Sequence, residues 1–539
     1  MDIKEYFLSL LKYKSNGNGL DKTAKIIIKE KDKNKANNSS ATSVSKTVVE
    51  NSSKQKKSAV KKDSDKTIKK PLEKHKISSN KTQEQHYLEH VIEIKNQYNY
   101  NDFTDEGKKF VPEINKDELS KINNSDGMLV TVGLDFGTHQ TKVCIECKGG
   151  VELSYTFLKY KAPDEQMYYT LPSIIGIDSN NKLHYGYLPN KFNGKIIRYF
   201  KQTVFRGSSY DGSMNQEDAY YYSIWYIAYI LFELEAVFGP NFTIQMGAPT
   251  DSGHINIAKQ IATRIIVSAY KLVEDIFEND KELFLNTDYS ALKQLTNIVV
   301  YSQEVKESYG LLVFPEAYAC LKPLVSQKKI KEGMSLMIDI GGGTTDISFF
   351  TIEKNMPQVY DYFSINKGLN FLSCAYEKNK DYLDSNIRDA SEIDDNRKSI
   401  FVKDIKNICN HIQEKLVSEF KQQTSLHLNK LYDALKFRPL VYTGGGCTFM
   451  TLRERYNGFV DIRQVSGEEW DKKSITQFNE INKFKLFPIL STAYGLSIST
   501  ENDNIATTPF RDIFDKLRGT KEEYDYHSFN YTDDYSAIK

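Results

Sequence analysis

The stretch IDIGGGTTDI at 338–347 decides the fold, because LDFGTHQTKV at 134–143 repeats it. Each reads apolar, Asp, apolar, Gly, two or three small or polar residues, Thr, a charged residue and an apolar one. In each copy a strand ends at its aspartate, Asp135 or Asp339, the chain turns at glycine, and a second strand leaves. The two aspartates stand 204 residues apart. Each copy therefore opens its own domain, and two similar α/β halves facing each other are expected.

A hairpin of this composition suits phosphate. Gly137 in the first copy and Gly341, Gly342 and Gly343 in the second allow close backbone approach and positive φ, so that successive N–H groups can converge on anionic oxygens. Thr138 and Thr344 add hydroxyl donors. Asp135 and Asp339 are placed to hold Mg²⁺ through its water shell, since this ion takes one or two carboxylates together with phosphates. A single Gly-rich turn is more often an ordinary hairpin, but two matched copies argue against that reading. A third run, LVYTGGGCTFM at 440–450, predicts a strand, then Gly444, Gly445 and Gly446, then a helix, as expected where backbone lies flat against a base or ribose. Neither a GxxxxGK[ST] loop nor a GxGxxG after a strand is present, which argues against P-loop and dinucleotide-binding folds.

Around these motifs, β-branched and aromatic runs alternate with helical periodicity from Met128 onward. Strands are predicted at Leu129–Leu134, Lys142–Cys147, Thr243–Met246, Asn297–Tyr301, Leu336–Ile340, Asp346–Thr351 and Leu440–Tyr442. Helices are predicted at Ala219–Phe238, Ile255–Phe277 and Val402–Phe420. Glu377–Ser399 is acidic and reads as a loop or a loosely packed helical excursion. After Thr500 the chain turns polar and Tyr-rich, with one short helix near Phe510–Leu517.

The formal charge of +1 hides an asymmetry: residues 1–86 hold 21 Lys against 10 acids, whereas residues 87–539 are mildly acidic and unsuited to a large nucleic-acid surface. Residues 15–86 are rich in Lys, Ser and Asn and read as a disordered linker, and residues 1–14 as a short amphipathic docking segment for a protein or a membrane surface. The N-terminus lacks the basic flank and small-residue cleavage site of a secretory signal. Six scattered cysteines form no disulfide framework and point to a reducing, cytoplasmic setting. Cys144 and Cys147 alternate to opposite faces of a strand and read as structural. The aromatics Tyr220, Tyr221, Tyr222, Trp225, Tyr226 and Tyr229 fall at helical spacing and read as core. No segment is long and apolar enough to span a bilayer.

Taken in order, the two hairpins, the helix-forming FPEAYACL at 314–321, the GGG turn and FPILSTAYGL at 487–496 resemble the actin, heat-shock chaperone and sugar-kinase ATPase superfamily. The matches are to its phosphate 1, connect 1, phosphate 2, adenosine and connect 2 motifs, over about 128–500. The likeness is greatest to the nucleotide-binding domain of DnaK-type chaperones and to plasmid-segregation actins. It implies a two-lobed actin-like ATPase fold of duplicated ribonuclease-H-like domains, with lobe I at 128–325, lobe II at 326–500 and a C-terminal tail at 501–539.

The resemblance also implies residue roles. Asp135 and Asp339 organise Mg²⁺, and Gly137, Thr138, Gly341, Gly342, Gly343 and Thr344 hold the β- and γ-phosphates of ATP. Glu316 and Asp346 sit near the attacking water, and Gly444, Gly445 and Gly446 contact the adenosine. Lys142 matches a phosphate-binding lysine of actins and Lys201 the catalytic lysine of chaperones, and Lys415 is a candidate to clamp adenine. His139 stands in the first hairpin where the family has a small residue. Fewer than forty residues follow Thr500, too few for a chaperone's peptide-binding domain and lid. The expected function is thus a chaperone-like ATP switch read by a protein partner. The alternatives are a filament-forming actin-like protein, favoured by Lys142, and a small-molecule kinase, for which no substrate-side Asp base is evident.

Overall fold

The computed structural model describes residues from 110 to 512 apart from internal segments, of which the longest are 374–391 and 424–438. The docking segment 1–14 and linker 15–86 lie outside the described residues, as does most of the tail 501–539. Strands β1 (Leu129–Asp135), β2 (Gln140–Gly149), β3 (Glu152–Phe157), β4 (Thr243–Ala248) and β5 (Leu311–Pro315) form one sheet in the order β5-β4-β1-β2-β3. A second sheet has the order β8-β7-β6-β9-β10, from β6 (Ser335–Ile340), β7 (Thr345–Glu353), β8 (Met356–Ile365), β9 (Pro439–Thr443) and β10 (Asp461–Gln464). In both, the first three strands run antiparallel and the last two join the central strand in parallel. Central strands covered on both faces read as continuous apolar runs, and all five residues of β9 are buried.

Helices cover these sheets: α1 (Lys116–Ser120), α2 (Phe200–Arg206), α3 (Gln216–Phe238), α4 (Ile255–Lys271), α5 (Tyr289–Ile298), α6 (Glu316–Ser326), α7 (Asp395–Gln423) and α8 (Phe487–Ser497). Asn215 caps α3 by accepting from the Asp218 amide at 2.8 Å. The aromatics of α3 are core, as expected: Trp225, Tyr226 and Tyr229 are fully buried, and the Trp225 indole donates to Thr296 Oγ1 at 2.7 Å. No described helix is long and apolar enough to cross a membrane.

Several boundaries differ from expectation. Asn297 and Ile298 close α5 rather than opening a strand, because Asp288 caps that helix through the Ala291 amide at 3.0 Å and Leu292 and Leu295 bury its apolar face. The edge strand is β5 instead, so Phe314 and Pro315 are extended and the helix begins at Glu316. Residues 395–399 belong to α7, while 377–391 lie outside the described residues. Packed structure also starts upstream of Met128, where Tyr229 donates to the Pro112 carbonyl at 3.0 Å and Leu119 is buried. It continues past Thr500, where buried Asp503 accepts the edge-strand amide of Val313 at 2.9 Å.

Helices α6 and α8 cross between the sheets. A Cβ on Gly495 would lie 1.8 Å from the Ala319 carbonyl oxygen, so only glycine permits this crossing. Pro323 sits inside α6 and brings no N–H for that same carbonyl. On the first sheet a Cβ on Gly133 would lie 2.2 Å from the Ser497 amide of α8. On the second, Ser491 shares a 2.6 Å hydrogen bond with Thr443, and the Gly444 amide donates to Pro488 at 3.0 Å. Thus α8 touches β1 of the first sheet and β9 of the second.

Gly495→Ala should destabilise the protein by about 1–3 kcal/mol through overpacking, read as a lowered midpoint in denaturant. A second test uses Lys322 of α6, which donates to the Ile498 carbonyl at 3.0 Å and Thr500 Oγ1 at 2.7 Å. Burial pushes its ammonium down to about 7 against the opposing pull of Glu146. An unfolded lysine titrates near about 10.4, so between these values the unfolded chain binds more protons and stability rises with pH. Relative to Lys322→Met, the wild-type Tm should climb from pH 7 to pH 9.5; a constant gap would exclude this linkage.

Candidate functional site

Both hairpins place acids by register. Across β1 and β2, Asp135 faces Lys142, and across β6 and β7 the equivalent partners are Asp339 and Asp346. The first pair closes as an ion pair, with Lys142 Nζ 2.8 Å from Asp135 Oδ2. The second pair sets two carboxylates directly opposite one another, an arrangement that repels. The two hairpin tips meet face to face. A Cβ on Gly343 would lie 2.6 Å from Thr138 Cγ2, and one on Gly342 2.5 Å from the His139 ring. None of Gly137, Gly341, Gly342 and Gly343 has positive φ. Close approach, and not left-handed backbone, is therefore what requires glycine at 342 and 343.

Burial dominates the electrostatics. It pushes the Asp339 carboxyl up to about 7, helped by Asp346, Asp135 and Glu316 and opposed by Lys142. Glu316, at the start of α6, is likewise raised to about 7 by burial, although Lys201 Nζ lies 2.6 Å from its Oε1. Asp346 is raised by burial against hydrogen bonds from Ser364 and Thr344 and the charges of Arg206 and Lys201. For Lys142 burial acts downward, but the charges of Asp135, Asp339 and Glu316 carry its ammonium above the ordinary value. All four shifts are upward, so burial disfavours charge on the three carboxyls while their proximity holds it on the lysine.

Helix α2 supplies what the sequence reading did not foresee. It ends on Gly207 in the left-handed region, φ 82°, with the Gly207 amide on Thr203 O at 2.8 Å. Along it Lys201 meets Glu316, Gln202 donates to the Gly343 carbonyl at 3.4 Å, and Arg206 donates to Ser364 beside Asp346. Gln202 and Arg206 therefore join the site with Lys201. Their signal in the sequence was a polar Lys-Gln-Thr run set within the apolar frame Tyr199, Phe200, Val204 and Phe205; Lys201, Gln202 and Thr203 are all buried.

The GGG turn closes another side. Gly444 has φ 80°, and a Cβ there would lie 2.2 Å from Asp339 Oδ1. The chain beyond it forms two short 3₁₀ turns, Gly445–Thr448 and Met450–Leu452, rather than the expected helix. Asp339 Oδ2 faces the Cys320 thiol of α6 at 3.6 Å. Lys415 Nζ lies 2.8 Å from Asp361 Oδ2 and 4.1 Å above the Phe510 ring, away from both hairpin tips. Cys144 and Cys147 are buried free thiols, as read from the sequence.

The structure thus brings Asp135, Lys142, Lys201, Glu316, Asp339, Thr344 and Asp346 into one electrostatic cluster, with Thr138, Gly342 and Gly343 at the hairpin contact and Gly444 against Asp339. No family model matches the chain, and no curated protein matches it. Among solved structures, an archaeal actin homologue aligns over 72% of this chain and 100% of its own length, at 14% identity and a TM-score of 0.31.

The buried Lys201–Glu316 pair gives a direct test. Lys201→Met alone should cost about 3–5 kcal/mol in chemical denaturation, because it leaves a buried carboxyl without its cation. Adding Glu316→Leu should restore most of that loss, whereas additive losses would show that the two do not depend on each other.

Proposed function

We propose that this chain binds ATP with Mg²⁺ between its two hairpins and hydrolyses it, as a two-lobed ATPase of the actin, heat-shock chaperone and sugar-kinase superfamily. One observation carries this reading: two hairpins of matching sequence and register, each following an aspartate, meet tip to tip above a buried cluster of carboxylates and lysines. The shared strand order of the two sheets supports lobes at about 128–325 and 326–500, with the packed additions noted at either end.

The donor set fits a hydrated divalent cation. Asp339 and Asp346 face each other with no cation in register between them, while Asp135 already has Lys142. Asp135 and Asp339, at the ends of their strands, would hold such an ion through its own water. When bound, Mg²⁺ supplies charge neutralisation at the β- and γ-phosphates.

The chain's own residues do the rest. Backbone N–H groups at Gly137, Gly342 and Gly343 and the hydroxyls of Thr138 and Thr344 hold phosphate oxygens. Lys142 and Lys201 bring positive charge toward the γ-phosphoryl group. Asp346, held high by burial, accepts a proton from the attacking water, and Glu316 positions Lys201. Gly444, Gly445 and Gly446 lie against the adenosine. Lys415, the candidate adenine clamp, is paired with Asp361 in this structure.

Opening and closing of the cleft then becomes the output, since α8 contacts β1 of one sheet and β9 of the other and transmits their relative movement. We read that output as a switch sensed by a protein partner. A filament-forming role is the second reading, favoured by Lys142, which sits on Asp135 at the phosphate hairpin as an actin-type lysine would.

Purified protein should turn over ATP only with Mg²⁺, and Asp339→Ala should reduce kcat/KM by about 100-fold or more. Sedimentation of the same samples separates the two readings: ATP-dependent pelleting would put filament formation first, and soluble turnover supports the switch. Absence of nucleotide binding by the wild type would sink the assignment.

A further inference from the structure

Gln202 is 3% exposed and its amide is oriented by its surroundings. Nε2 donates to the Gly343 carbonyl at 3.4 Å and to Asn366 Oδ1 at 2.5 Å. A backbone carbonyl can only accept, so the nitrogen must be the atom that faces Gly343. Oε1 is consequently the unused end of that amide, buried and without a hydrogen-bond partner among the described residues. An orphaned buried acceptor is destabilising, and a functional site offsets that cost when a donor arrives.

A second buried acceptor lies on the same hairpin. Asp346 Oδ2 takes the Thr344 hydroxyl at 3.1 Å, while its Oδ1 has no aligned donor among the described residues, although Ser364 leans on the carboxylate. The two groups flank one end of β7 and β8. Gln202 binds Gly343 and Asn366, and Arg206, one helical turn on, binds Ser364, the register partner of Asp346.

Building on the ATPase reading above, we propose that Gln202 is a catalytic residue that orients the attacking water together with Asp346. A water between two acceptors donates one hydrogen to Gln202 Oε1 and the other to Asp346 Oδ1. Its lone pair is thereby left facing the γ-phosphorus held at the hairpins. As the new O–P bond forms, the bond from the γ-phosphorus to the bridging oxygen breaks, and its electron pair goes to the β-phosphate of ADP. The water's proton passes to the Asp346 carboxylate and then to solvent, giving ADP and inorganic phosphate. A neutral amide cannot take that proton, so Gln202 fixes direction only. Its anchor on the Gly343 carbonyl ties the water's position to the phosphate hairpin itself.

The test compares wild type with Gln202→Leu and Gln202→Met, which keep bulk and remove the acceptor. The expected result is a fall in kcat of about 10²-fold with affinity for a non-hydrolysable ATP analogue within about threefold of wild type. Binding of ADP with aluminium fluoride, which mimics the transition state with its axial water, should be lost, while ADP with beryllium fluoride should still bind. Equal kcat in either folded variant overturns the proposal, as does loss of analogue affinity in step with kcat or retention of the aluminium fluoride complex. If wild type binds analogue yet shows no turnover, the fluoride pair still decides the role of Gln202; if wild type binds no nucleotide, the ATPase reading itself has failed.

Discussion

Four carboxylates shut away from water with three cations form the constraint around which this protein is arranged. Asp135, Asp346 and Glu316 are each more than nine-tenths buried, and Asp339 is partly buried beside them. Burying a charge without a partner costs several kcal/mol, and like charges across a strand pair add to it. The chain meets that cost by bringing Lys142 across β1–β2, Lys201 from α2 and Arg206 one turn further on. What stays uncompensated is concentrated on Asp339 and Asp346, at the tip of the second hairpin. Matching register has therefore produced two chemically different hairpins, one self-neutralised and one that repels itself.

The cluster is held by elements distant in sequence. Its acids come from the ends of β1 and β6, the start of β7 and the start of α6, while its cations come from β2 and α2. Helices α6 and α8 fix these parts relative to each other, through a contact so close that Gly495 lies directly on the Ala319 carbonyl. Because Cys320 of α6 touches both Thr492 of α8, at 2.8 Å, and Asp339, at 3.6 Å, the crossing and the site share atoms. A change in how the helices cross therefore reaches Asp339 through the Cys320 side chain.

Much of this was legible because the repeat is short and local. The run from Asp135 to Lys142 and its copy from Asp339 to Asp346 needed only strand alternation and turn chemistry to read. Boundaries were harder where two local rules competed. Asn297–Tyr301 carries β-branched residues, yet the Asp288 cap and the buried Leu292 and Leu295 draw its first residues into α5. After Gly446 the turn continues as 3₁₀ geometry, with Cys447 and Leu452 buried against the second sheet.

By itself the sequence determined the two hairpins, the acids at their ends, the glycines between them and the alternation of strands and helices, because each depends on residues within about ten positions. It also marked Lys201 and Glu316 as residues of interest, 115 positions apart, without joining them. Tertiary structure alone decided that they form one buried pair, that Lys142 spends its charge on Asp135, that Lys415 belongs to Asp361, and that Gln202 and Arg206 enter the site. These outcomes turn on which faces meet once the core closes. Burial then fixes which charges can be ionised together, and that is a property of the folded volume rather than of any stretch of chain.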